Sequence, residues 1–166
     1  VILGLLVGGI LSGQSLIRAA ELRSVVTQYQ SFITAMNSFR DKYNALPGDM
    51  SNAQSFWGVA TTCPGDSTHP STTAATCNGD NNGYLDNDTL QEKTRFWQHL
   101  ANAGLIEGSY TGVSASATMT SATIPGLNAP KARLSNVGWS AYYNTWVNDP
   151  NWPNLNGNIL FLGATA

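Results

Sequence analysis

The segment VILGLLVGGIL, Val1 to Leu11, contains no charged or polar side chain, and no Pro separates it from an amphipathic stretch reaching Tyr43. Within that stretch Leu22, Val25, Tyr29, Phe32, Met36, Phe39 and Tyr43 recur at alternating spacings of three and four, with Val26 and Ile33 widening the stripe. This period, near 3.5, belongs to one face of a helix. The pattern predicts a single long helix whose first half suits a greasy environment and whose second half lies on a folded head. Arg18, Glu21 and Arg23 form a charged collar where the halves meet. The helix is expected to stop at Leu46-Pro47-Gly48-Asp49, because Pro lacks a backbone donor, disfavours helix in the residue before it, and is followed by Gly. Gly4 with Gly8, and Gly9 with Gly13, make two small-xxx-small pairs, which let packed apolar helices approach closely.

Further along, a short helix is expected from Ser51 to Trp57, followed by turn-forming loop over 58–87. Asp88 and Gln91 resemble a capping box. With the apolar face of Leu90, Phe96, Trp97 and Leu100, and Gly104 as terminator, they predict a second helix at 89–103. Residues 108–130 read as loop with room for one edge strand. Val137–Val147 and Asn158–Ala164 are β-rich runs joined by turn residues at 149–154. No internal repeat is evident. The expected fold is α+β: a long N-terminal helix on a small antiparallel sheet, with a helical and loop insertion between them. Two parts follow: an apolar helix half at 1–21 and a head at 22–166 that includes the amphipathic half 22–45.

The 166 residues allow one modest core. Eight Lys and Arg against ten Asp and Glu give a net charge of −2, which lacks the basic field that nucleic acid requires. Only 11% of residues are charged, against ~25% in typical soluble domains, so the surface is polar but largely uncharged, as in many exported proteins. Val1 to Leu11 is also too short to cross a bilayer, which takes ~20 apolar residues, and it has neither a Met nor a basic flank; further residues are expected before Val1.

Cys63 and Cys77, the only cysteines, bracket a segment made, apart from His69, of Thr, Ser, Pro, Gly, Asp and Ala, with no apolar anchor. The choice is a disulfide, implying an oxidising compartment, or two free thiols; no His or Cys partner stands at metal-ligand spacing. Asn78, Asp80 and Asn82 alternate, Gly83 follows, the Tyr84 carbonyl falls at position seven and Asp86 at position nine, matching the first half of a calcium loop. Thr89 stands where a closing carboxylate belongs, so Glu92 or Asp88 would substitute. The alternative is an ion-free, Asx-rich turn. His69 and His99 read as structural or solvated, and the five tryptophans as core and rim, with Trp152 the one expected to be exposed. No nucleophile elbow, zinc helix or phosphate loop is present, so no enzyme is expected.

The run VILGLLVGGILSGQSLIRAAELRSVVTQYQSFITAMNSFRDKY, then ALPGDM, Phe56-Trp57-Gly58, CNGDNNGYLDND and FWQHLANAGLIEGSY together resemble the type IV pilin and type II secretion pseudopilin superfamily, over residues 1 to about 110. The resemblance implies a prepilin clipped by a membrane peptidase, held in the inner membrane, and extracted by assembly machinery into a helical homopolymer outside the cell. Val1, Ile2, Leu3, Gly4, Leu5, Leu6, Val7, Gly8, Gly9, Ile10, Leu11 and Gly13 would then form the filament core. The family's processing signature, a Gly before the cleaved bond and a nearby Glu, has no counterpart here, nor has the helix-breaking Pro of many pilins. A pilus subunit is the leading expectation, a secretion pseudopilin acting as a periplasmic piston the second. From a different class, a membrane-tethered module binding glycans or surfaces through exposed aromatics is the rival.

Overall fold

The structure, a computed structural model, describes residues 2–60, 63, 74–85, 91–113, 123–134, 137–144 and 157–164. Helix α1 runs unbroken over Ile2–Tyr43, 42 residues. Its end is fixed by Asn44, which takes a left-handed φ of 50° while its N–H still bonds the Arg40 carbonyl at 2.8 Å. Val25, Phe32, Ala35 and Phe39 are buried, with Met36 and Tyr43 packed beside them. The apolar stripe is thus used from Val25 onward. Leu22 and Val26, read from the spacing as part of it, are exposed.

Helix α2, Gln54–Trp57, is shorter than its expected 51–57. Helix α3 spans Glu92–Asn102. Gln91, read as an interior residue of a capping box, instead sits just outside the helix at φ 55°; Asp88 and Leu90 lie outside the described residues. At the other end Gly104 behaves as expected: it adopts φ 71°, and the Leu105 N–H reaches back to the Leu100 carbonyl at 3.0 Å, closing the helix as a left-handed cap does.

Strands β1 (Val137–Asn144) and β2 (Gly157–Ala164) pair antiparallel, from Val137 opposite Ala164 to Asn144 opposite Gly157. They form a two-stranded sheet among the described residues; the extension of β1 to Val147 and the 149–154 connection lie outside those residues. Of the 108–130 run read as loop with room for one edge strand, 114–122 lie outside the described residues; within the rest Pro125 bridges Ala129, and just beyond it Lys131 bridges Gly138.

Rings join the layers. Phe32 meets Trp97 of α3 edge-on at 5.0 Å and Trp139 of β1 at 5.4 Å, and Tyr29 stacks on Trp139 at 6.1 Å. Helix α3 is amphipathic in sequence, yet Glu92 through Leu100 are all buried. Its polar face is covered by the 74–76 and 111–113 segments, and its side chains find partners there: Gln98 Nε2 donates to the Ala75 and Thr111 carbonyls, Thr94 Oγ1 to the Gly112 carbonyl. Buried polar groups persist when so satisfied.

Among the described residues, Gln28 ties α1 to the sheet. Gln28 Oε1 accepts from Trp139 Nε1 at 2.8 Å, and its Nε2 donates to the Lys131 carbonyl at 2.9 Å. Gln28→Ala leaves the mostly buried indole N–H without this acceptor, so a loss of about 1–3 kcal/mol in urea unfolding is expected. A change under about 0.5 kcal/mol would mean that water replaces the glutamine fully.

Candidate functional site

Two features stand apart from the core. The first is the stalk. Above Val25, Leu16 is 70% exposed and Ile17 and Leu22 are each 61% exposed. Ideal Cβ placement at Gly13 meets nothing within 4 Å. Ile2 to Leu11 continue the same helix, and Val1 lies outside the described residues. Among those residues no helix is long and apolar enough to cross a membrane.

The second is an acidic turn. Its foundation is a crossing of two backbone segments: a Cβ on Gly79 would sit 2.5 Å from Asp49 backbone atoms, and the Gly79 and Asn81 N–H groups donate to the Met50 and Asp49 carbonyls at 2.9 and 3.0 Å. Gly48, expected only as a helix breaker, is needed twice over. Its φ is 91°, and a Cβ there would collide with the Glu92 carbonyl. These close approaches bring Asp49, Asp80 and Glu92 together, with one oxygen of each within 4.8 Å of the others.

The carboxylates are held by the loop's own donors. Asp49 accepts the Asn82 and Gly83 N–H groups at 3.0 and 2.8 Å. Asp80 accepts the Asn82 backbone and side-chain N–H groups, and Glu92 Oε1 accepts the Asp80 N–H at 3.1 Å. Burial pushes the Asp49 carboxyl above its ordinary value, against the N–H groups of Gly83 and Asn82, which act in the opposite direction. A solvent-open groove of about 830 Å³, lined in part by Asn37, Arg40, Asp49, Asn82 and Asn158, reaches the cluster.

Of the ligand set read from the sequence, Asp80 and Glu92 come together. Asn78 turns away, its Oδ1 accepting the Gln54 N–H at 3.0 Å; Asn82 Oδ1 accepts the Tyr84 N–H at 2.7 Å; Asp86 lies outside the described residues. Asp49 was missed because ALPGD reads as a helix terminator. The signal was there in principle, as a carboxylate directly after a Pro-Gly break.

Cys63 and Cys77 form a disulfide with Cα atoms 5.6 Å apart. Beside it His99 is fully buried, as its structural reading expects: Nδ1 accepts the Gly48 N–H at 3.0 Å, and Nε2 lies 3.0 Å from Thr76 Oγ1. Trp97 and Trp139 are buried in the core. His69, Trp146 and Trp152 lie outside the described residues.

The chain is therefore an α+β protein with a long N-terminal helix and a small antiparallel sheet. No family model, curated protein or solved structure matches it.

Proposed function

We propose that this chain is the structural subunit of a type IV pilus-like filament, polymerising through the apolar half of α1. The observation that carries the reading is the division of one 42-residue helix: its apolar stripe packs on the head between Val25 and Tyr43, while Leu16, Ile17 and Leu22 are exposed among the described residues. Exposed apolar surface of this extent marks an interaction site. Burying it against further copies gains roughly 25 cal/mol per Å². The precursor would wait in the inner membrane, be clipped by a prepilin peptidase, and join the polymer outside the cell.

The reading is tested by replacing both Leu16 and Leu22 with Lys in the full chain. Sheared surface fractions and electron microscopy should show fibres lost, while the unfolding midpoint of the head shifts by no more than about 0.5 kcal/mol, as exposed positions do. Fibres that persist overturn the proposal. Assembly that requires the secretion ATPase instead of the pilus motor assigns the chain to a pseudopilus.

Calcium belongs to this proposal as the ion of the acidic turn. Three carboxylates converge beside an open groove that Asp49 lines, and carboxylate oxygens gathered on a tight turn are what a hard cation takes as ligands. Asp49, Asp80 and Glu92 would hold the ion, which would pin the ALPGD turn to the start of α3. Calcium at a hundred times its dissociation constant should raise stability by about 2.7 kcal/mol, and Asp80→Asn should abolish the rise. Identical midpoints in calcium and in chelator make this an ion-free Asx turn.

A further inference from the structure

Among the described residues, the hydrogen-bond parity of the sheet leaves the outer edge of β2 unpaired. On β1, Trp139 donates to the Pro130 carbonyl at 3.1 Å, Val137 accepts from Ala132 at 2.9 Å, and Tyr143 donates to the Leu85 carbonyl at 2.8 Å. In a strand the N–H and C=O of one residue point the same way, so these odd-numbered residues face away from β2. The ladder to β2 is made by Gly138, Ser140, Tyr142 and Asn144 with their partners Gly163, Phe161, Ile159 and Gly157. It follows that Asn158, Leu160, Leu162 and Ala164 aim their backbone groups at the opposite side, where no strand lies among the described residues.

Natural edge strands are blunted by Pro, charge, bulges or short length. Strand β2 has eight residues, GNILFLGA, with no Pro, no charge and an unbroken register. Leu162 on it is 37% exposed.

We propose that the outer edge of β2 pairs antiparallel with β2 of a second copy of this chain, about a two-fold axis at Phe161. The strand suits itself as partner: with no charged residue, no like charges are set opposite each other. A dyad at Phe161 places Leu160 against Leu162 of the second copy and Asn158 against Ala164 of the second copy, so each outward N–H and C=O over Asn158–Ala164 meets its complement and the exposed Leu162 is covered. Such an interface is isologous and closed. It stands independently of the stalk and would join heads in pairs.

The test uses the full chain in detergent. Phe161→Cys should cross-link to itself on mild oxidation, because residues on the dyad form a non-hydrogen-bonded pair with Cα atoms about 4.5 Å apart, within disulfide reach. Leu162→Cys, which faces Leu160 instead of itself, should not. Circular dichroism confirms that both variants fold, and their comparison separates strand pairing from association of stalks in a micelle. In sedimentation equilibrium Leu162→Lys should weaken the dimer by about tenfold or more. A wild-type chain that stays monomeric overturns the proposal, as do equal cross-linking at both cysteines and a dissociation constant unmoved by Leu162→Lys.

Discussion

Trp97→Ala is expected to cost about 3–5 kcal/mol, the range for truncating a fully buried large aromatic, and so to remove much of a stability that for such domains totals about 5–15 kcal/mol. Trp97 is 1% exposed and is held edge-on by Phe32 of α1 at 5.0 Å and by Phe96 at 4.9 Å. Phe32 in turn carries the contact onward to Trp139. Cutting out the indole therefore opens a cavity where helix, helix and sheet meet, a place that cannot collapse without moving a whole element. Urea unfolding followed by far-ultraviolet circular dichroism measures the loss. Leu16→Ala, on the exposed stalk, serves as the control and should move the midpoint by no more than about 0.5 kcal/mol. A Trp97→Ala loss under about 1 kcal/mol would show that the core does not close around this ring.

The second large effect is acid sensitivity through His99. Burial first, and then the positive charge of Arg95, push its pKa from 6.5 down to about 3; the Cys77 backbone acts weakly the other way. Geometry agrees, since Nδ1 must be unprotonated to accept the Gly48 N–H. A base with a depressed folded pKa contributes stability that is complete above its unfolded value, near 6.5, and drains away as pH falls toward 3. By about pH 4 the loss should reach roughly 3 kcal/mol, at 1.36 kcal/mol per unit. Asp49 works in the opposite sense. Its folded pKa is raised, so its stabilising share is full below about 3.8 and is lost as pH rises through the folded value. It softens the acid end without cancelling the slope above it. Thermal midpoints between about pH 7 and about pH 4 measure this, and His99→Asn, which cannot take up a proton in this range, should flatten the curve. A wild-type midpoint that does not move contradicts the buried neutral imidazole.

The elements that the sequence displays most clearly are those whose signal is local. Helix α1 announces itself by period, α3 by Phe96, Trp97, Leu100 and the Gly104 cap, and the strands by their β-rich runs. What the sequence conceals comes from distant segments meeting. Nothing near Leu22 or Val26 reveals that the head begins to cover the helix only at Val25, because that limit is set by where Trp139 and Lys131 sit. The burial of Lys93, Arg95 and Gln98 contradicts their polarity and depends on two segments folding over α3. Asp49 belongs with Asp80 and Glu92 only because Gly48 and Gly79 allow backbones to touch. Asn78, well placed by loop spacing, is drawn off by the backbone N–H of Gln54, a competitor invisible in a spacing rule.

The paired anchor at the disulfide has a consequence for the run it closes. Cys63 and Cys77 stand with Cα atoms 5.6 Å apart, and the backbone beside them is clamped where Ala60 donates to the Thr76 carbonyl and Thr76 to the Gly58 carbonyl. With both ends held, a change of sequence or length at 64–73 is expected to leave the packing of Trp97 and Phe39 as it is. Inserting residues into that run should leave the urea midpoint of the head unmoved, so the disulfide uncouples change in the run from change in the scaffold.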